Sequence, residues 1–167
     1  HVMKYYAHFG HSEFILCLGY QADVIKRYFI NYDEWLSNNF VLSGDGRNIH
    51  LLHTDIQDWS ITFVDTGINA NIGQRLRAVE PYLRNEEAFL ANYSDGLTDF
   101  DLPILTDTFQ KENNVASFLC VRPNLSFHAV SIEQDGNVCG IKDIGATDTW
   151  INGGYFVFRN EIFNYLR

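Results

Sequence analysis

Apolar positions along this chain follow two periods, and the switches between them mark its elements. In HVMKYYAHFG the apolar side chains recur at helical spacing and stop at Gly10, the residue best suited to the left-handed conformation that closes a helix. A helix is thus under way at residue 1, which reads as a chain that starts inside a fold whose first element lies elsewhere. Glu13 to Leu18 predicts a buried strand, and after Gly19 a helix follows from about Ala22 to Asn31 with Val24, Ile25, Tyr28 and Phe29 on one face. Between Asn39 and Thr66 the period shortens. NFVLS, NIHLLHT and SITFVDT are β-rich runs, the first two joined by Gly44, Asp45 and Gly46, and they read as an inserted antiparallel section. No helix follows those glycines, so they make a hairpin turn and not a phosphate cradle.

The second half returns to α/β alternation. The pattern predicts a helix from about Ile72 to Leu83, a strand from Ala88 to Tyr93, a helix from about Pro103 to Glu112 and a strand from Val115 to Val121. Such alternation points to a mainly parallel sheet covered by helices. FHAVSIE and NVCGIKD, with Asp135 and Gly136 in the turn, form an antiparallel pair before GGYFVF resumes the core. The class is α/β, a mixed sheet flanked by helices with antiparallel insertions. No internal repeat, low-complexity tract, linker or charge block interrupts the chain, so residues 1–167 read as a single domain.

Composition then removes several kinds of function. The chain has 167 residues, 46% apolar and 15% aromatic, enough for one sizeable core. Twelve Lys and Arg against 21 Asp and Glu leave a net charge of −9, the wrong sign for gripping a nucleic-acid backbone. Apolar runs such as Phe14 to Leu18 fall far short of the roughly 18 to 20 residues that cross a bilayer. No secretory signal opens the chain, which makes the cytoplasm the expected compartment. Cys17, Cys120 and Cys139 are an odd set without CxxC spacing, and the apolar runs around Cys17 and Cys120 read as reduced, buried thiols. The pairs His8 with His11 and His50 with His53 have no cysteine or carboxylate nearby to complete a metal site.

Three segments carry candidate chemistry. In AFLANYSDGLTDFD an apolar strand runs directly into Asp95 and Gly96, and ligands of open α/β sheets sit beyond the carboxyl ends of strands. Asp95 is therefore a candidate Mg²⁺ ligand; Asp99 and Asp101 follow closely and suit structural roles, Asp101 as the cap of the helix at Pro103. In VDTGINANIGQRLRAV a strand ends at Asp65, Thr66 and Gly67, and a loop opens the next helix with Gly73, Gln74 and Arg75. That loop can read a base or a phosphate, or Arg75 and Arg77 are a solvated helix surface. In WINGGYFVF a buried polar Asn152 precedes Gly153 and Gly154, which allow close approach of a ligand or mark a bulge.

Taken together and in order, HVMKYYAHFG, FILCLGYQADVIKRYF, the insertion around DWSITFVDTG, GQRLRAV, YSDG and WINGGYFVF resemble the sugar-phosphate nucleotidyltransferase family, most closely its glucose-1-phosphate cytidylyltransferase branch. The resemblance implies a nucleotide-diphospho-sugar transferase domain of Rossmann-like character. It also implies transfer of a nucleotidyl group from an NTP, CTP in this branch, to a hexose 1-phosphate such as glucose 1-phosphate, in a surface-polysaccharide or deoxysugar pathway. By position it makes Asp95 the Mg²⁺ aspartate, Arg75 a nucleotide-contacting arginine, and Asn152 with Gly153 the sugar-binding loop; Gly73 and Gln74 join Arg75 as nucleotide-binding candidates from the helix-opening loop itself. The family's glycine-rich loop and a second metal aspartate are not among these residues, so this portion alone is expected to be an incomplete, inactive domain. Ile144 stands where the family has a sugar-phosphate lysine, and Lys142, two residues earlier on the same strand face, with Asp143, is the candidate sugar-phosphate contact in its place; Ala70 replaces a threonine and Gln74 a glycine. Those departures leave open a binding or regulatory homologue without catalysis, and Asp99 with Asp101 leave open a DxD glycosyltransferase. The resemblance further implies a homo-oligomer for the intact protein, for which the aromatic-rich stretch Tyr28 to Trp35 is a candidate contact.

Overall fold

The computed structural model describes residues 1–124 and 126–166. They form two compact units, His1–Glu87 with the segment from Asn160 onward, and Ala88–Arg159.

In the first unit, helix α1 (Val2–His8) closes as its sequence predicts. Gly10 takes φ +90°, its N–H reaches the Ala7 carbonyl at 3.0 Å, and the His11 N–H reaches Tyr6 at 3.2 Å. This paired closure satisfies carbonyls that the helix end would otherwise leave open. Strand β1 (Glu13–Leu18) pairs in parallel with β4 (Ser60–Asp65), in a register that sets Leu18 opposite Asp65. Between them lie α2 (Ala22–Ile30), the short helix α3 (Glu34–Ser37) and the antiparallel hairpin β2 (Phe40–Ser43) and β3 (Asn48–Leu51). Helix α4 (Ile72–Val79) gives way to a 3-10 turn over Glu80–Tyr82, earlier than the periodicity suggested, because Pro81 has no N–H to continue the helix. Tyr6, Leu18, Val79, Leu83 and Phe163 form this unit's buried core.

Helix α2 departs from its predicted packing. Phe29 meets Phe63 of β4 with ring centroids 5.5 Å apart, and Ala22, Lys26 and Phe29 are its half-buried positions. Val24, Ile25 and Tyr28 stand 48%, 37% and 61% exposed. Of the predicted face, Phe29 packs inward, while Val24, Ile25 and Tyr28 stay open.

The loop after β3 is held by carboxylates. Glu34 accepts the Asp55 N–H at 2.9 Å and the Ile56 N–H at 2.9 Å, while Asp55 accepts from Lys4 at 2.8 Å and the Tyr32 hydroxyl at 2.8 Å. The hydrogen bond from Lys4, and then that from Tyr32, hold the Asp55 carboxyl below its ordinary value of 3.8. A depressed carboxyl contributes stability above its unfolded value and loses it as pH falls through the lower folded value. The melting temperature of the wild-type chain should therefore exceed that of Asp55→Asn at pH 7, with the gap closing as pH falls below 3.8 and through the lower folded value. A gap that persisted in acid would contradict the assignment.

In the second unit, β9 (Ile151–Arg159) lies between β5 (Ala88–Asn92) and β6 (Ala116–Val121), antiparallel to both. Among the described strand pairs only β1 with β4 is parallel, so the strands pair less in parallel than the α/β alternation suggested. Period-2 runs reveal strands but not their direction, and the hairpin β7 (His128–Ile132) and β8 (Val138–Asp143) reverses the chain before β9. Helix α5 (Leu102–Glu112) packs on β6 and β9 and buries Leu102, Leu105 and Phe109 against a core that includes Tyr155 and Val157. The cysteine expectation fails in part: Cys17 is half-buried, and burial pushes its thiol up, but Cys120 and Cys139 are exposed. On β6 the alternation puts Leu119 on the covered side and Cys120 with Phe118 on the open one. No helix among the described residues is long and apolar enough to cross a membrane.

Candidate functional site

In the first unit the candidate residues gather at the carboxyl ends of β1 and β4. The chain leaves β4 at Asp65, whose carboxylate accepts the Gly67 N–H at 3.0 Å and shapes a tight turn with Gly67 at φ +89°. It enters α4 through a reciprocal cap. The Asn71 side chain accepts the Gln74 N–H at 2.9 Å, and the Gln74 side-chain oxygen accepts the Asn71 N–H at 2.9 Å. Gln74 thus commits its oxygen to the helix start and keeps its NH₂ free, while the Gly73 N–H has no partner within the helix.

Arg75 is the best-positioned side chain of this cluster. Its Nη1 donates to the Leu18 carbonyl at 3.2 Å and to Thr66 Oγ1 at 2.6 Å. A guanidinium has five N–H donors, so Nη2 and Nε remain for a ligand. The residue is half-buried and forms no ion pair among the described residues, in a chain whose net charge is −9. A fixed cation without a carboxylate, at the ends of parallel strands, suits a phosphate oxygen.

In the second unit the loop after β5 is tied to the start of β9. The Tyr93 N–H donates to the Gly154 carbonyl at 2.9 Å, the Tyr155 hydroxyl to the Gly96 carbonyl at 2.9 Å, and the Asn152 amide to the Tyr93 hydroxyl at 3.2 Å. Asn152 also accepts the Gly154 N–H at 2.8 Å. Gly154 sits at φ +80°, and a Cβ there would lie 2.9 Å from the Tyr93 ring; one on Gly153 would lie 3.0 Å from the Leu119 carbonyl. Both glycines are required by close approach. Burial pushes the Tyr155 phenol up, keeping it protonated as a donor.

Asp95 lies within that pinned loop, exposed, and its carboxylate makes no hydrogen bond or ion pair among the described residues. Asp65, Asp135 and Asp143, by contrast, each accept a backbone N–H in a turn. Asp99 is likewise exposed; Asp101 occupies the N-cap position of α5 but its side chain caps nothing, contrary to expectation. Asn152, read as buried, is exposed: it stands at the beginning of β9, where its side chain engages the Tyr93 hydroxyl and the Gly154 N–H.

The structure thus places Asp95 on a loop that Tyr93 and Gly96 tie to the start of β9, where Asn152 and Gly153 lie. It does not bring Lys142 and Asp143 to them by any hydrogen bond or ion pair among the described residues. Lys142 pairs with Ala129 in the hairpin, and Asp143 accepts the Gly145 N–H at 2.8 Å, shaping the 3-10 turn that contains Ile144. Sequence reasoning gave no role to Tyr93, Tyr155, Thr66 or Gly19. Nor did it foresee that Arg122 lies over the Trp150 ring, 5.1 Å from its centroid, one position beyond the β6–β9 pair Val121 and Ile151. These are pairings across the chain, and spacing along it carries no signal for them.

Magnesium at phosphate-transfer sites is held by one or two carboxylates together with substrate phosphates. A single exposed, unengaged carboxylate on a fixed loop suits that role. No group of three or more His, Cys, Asp or Glu that could hold a metal by itself occurs among the described residues.

No family model matches the chain. It is 34% identical over 168 residues to a glucose-1-phosphate cytidylyltransferase of Salmonella typhi, and 33% identical over 166 residues to a probable glucose-1-phosphate cytidylyltransferase of Bacillus subtilis. Each alignment covers 99% of this chain and 64% of the relative. The chain therefore spans somewhat less than two-thirds of these relatives. Among solved structures it superposes on HddC from Yersinia pseudotuberculosis with a TM-score of 0.59 at 16% identity, covering 98% of this chain and 63% of that one. It superposes on an apo UDP-glucose pyrophosphorylase with a TM-score of 0.61 at 12% identity, covering 99% and 66%. The structural likenesses establish the fold, and the resemblance to glucose-1-phosphate cytidylyltransferases read from the sequence holds over nearly the whole chain.

Proposed function

We propose that the protein carrying this chain is a sugar-1-phosphate nucleotidyltransferase that joins CTP to glucose 1-phosphate and releases pyrophosphate. The observation that carries the reading is the unengaged Asp95 carboxylate on a loop pinned beside Asn152 and Gly153. The relatives' names support the substrate pair.

The chemistry asks little of the protein in proton transfer. A sugar phosphate has its second pKa near 6 and is already a dianion for the most part at neutral pH, so its oxygen needs no general base. That oxygen attacks the α-phosphorus, a new P–O bond forms, and the bond from the α-phosphorus to the bridging oxygen breaks, with its electron pair leaving on pyrophosphate. In this reading Arg75, through Nη2 and Nε, holds phosphate oxygens of the nucleotide, and the Gly73 N–H and Gln74 NH₂ complete that segment. Within the second unit, Asn152 and Gly153 would orient the sugar, and Asp95 would hold the magnesium ion. Bound magnesium supplies charge neutralisation for the triphosphate and for the departing pyrophosphate.

A second reading, a homologue that binds without turnover, is favoured by one observation. Ile144 lies in a 3-10 turn, and among the described residues Lys142 has no hydrogen bond or ion pair to the Asn152 loop, so no lysine among them is tied to the proposed sugar site. Calorimetric titration with CTP, UTP, GTP and ATP, beside a pyrophosphate-release assay with hexose 1-phosphates, separates the two. The proposal expects binding and release with CTP; binding without release by any pair would establish the second reading.

A further inference from the structure

We infer that Thr66 is a positioning residue that aims the Arg75 guanidinium, with Gly19 as the seat against which it lies. The inference rests on the nucleotide-binding reading of Arg75 and extends it to residues that neither the comparisons nor the sequence assigned a role.

An arginine side chain has many rotamers, and an anion site built on a free one must order it at each binding event. Here the ordering is built in. Thr66 stands one residue beyond β4, and both its backbone N–H and its hydroxyl donate to the Leu18 carbonyl at 2.8 Å. With its only O–H committed there, the hydroxyl presents lone pairs, and Arg75 Nη1 meets them at 2.6 Å. The Thr side chain is stiff at χ1, so the acceptor is itself fixed. Leu18, at the end of the paired strand β1, is 4% exposed, which anchors the carbonyl that all three donors share.

Gly19 completes the arrangement from the other side. A Cβ on Gly19 would lie 2.9 Å from both Nη1 and Nη2 of Arg75 and 3.0 Å from the Gly67 carbonyl. Gly19 is not in the left-handed region. Its lack of a side chain is required by the guanidinium and the turn beside it, not by its own backbone. Nη1 is thereby fixed at the strand ends, and Nη2 and Nε are the donors left for an incoming anion.

The test uses the protein that carries this chain, titrated with CTP and separately with inorganic tripolyphosphate, alongside KM and kcat for CTP and a melting curve. Thr66→Val keeps the shape and removes the acceptor; it should weaken both ligands and raise KM by about tenfold, with kcat changed much less. Thr66→Ser restores the acceptor and should bring affinity back to within about twofold. Combined with Arg75→Ala, Thr66→Val should add nothing, since the two act through one contact. Gly19→Ala is the independent variant should Thr66→Val fold poorly, and it too should raise KM for CTP with little change in kcat. Arg75→Ala losing affinity while Thr66→Val and Gly19→Ala bind as the wild type would overturn this inference alone. Arg75→Ala binding as the wild type would overturn the nucleotide-binding reading of Arg75, and this inference with it.

Discussion

Asp95→Asn should slow nucleotidyl transfer by more than about a hundredfold while leaving the melting temperature within about 2 °C of the wild type. The first figure follows from replacing a charged oxygen ligand of a hard cation with a neutral amide, a loss of at least about 3 kcal/mol of transition-state stabilisation. The second follows from the structure. The loop keeps its shape through Tyr93, Gly96, Asn152 and Tyr155, and the Asp95 carboxylate takes no part in those bonds. An aspartate that shaped its own turn would behave in the opposite way, costing about 0.5–2 kcal/mol of stability with little change in the rate of folded molecules. Turnover and melting measured on one preparation separate these roles. Early melting with near-normal turnover would remove Asp95 from the metal site.

Phe109→Ala should destabilise the second unit by about 3–5 kcal/mol. Phe109 is 2% exposed on α5, on the stripe that also buries Leu102 and Leu105, and the Arg159 guanidinium lies over its ring at 5.1 Å. Truncation leaves a cavity in a region that β9 and α5 hold in place, and it removes the aromatic face from a cation. Urea unfolding read by intrinsic fluorescence checks the value. A loss under about 1 kcal/mol would mean that α5 is not the element that closes this core.

Much of this architecture was legible in the chain because its signals are local. Gly10 announces the end of α1 through a backbone conformation, the alternation in SITFVDT announces β4, and Asp135 with Gly136 announces the hairpin β7–β8. Pro81 shortened a predicted helix for an equally local reason that the periodicity outweighed. Strand direction was not legible, because β9 reaches its place between β5 and β6 only after a reversal, and nothing in GGYFVF records that. The packing of α2 was legible only at Phe29, because which of its grouped apolar positions is covered depends on Phe63 of β4. The candidate site residues divide along the same line. Asp95, Arg75 and Asn152 were visible as polar residues at strand and helix ends. Thr66, Gly19, Tyr93 and Tyr155 were not, since their value lies in a hydroxyl 2.6 Å from a guanidinium, a missing Cβ, and two phenols that fasten a loop to another strand.

The account stands or falls most directly on product identity. The protein carrying this chain, supplied with CTP, glucose 1-phosphate and magnesium, should yield CDP-glucose and pyrophosphate in equal amounts by mass spectrometry, and chelating the magnesium should stop both. Bound CTP recovered intact, with no nucleotide sugar formed from any NTP and hexose 1-phosphate pair, would contradict it.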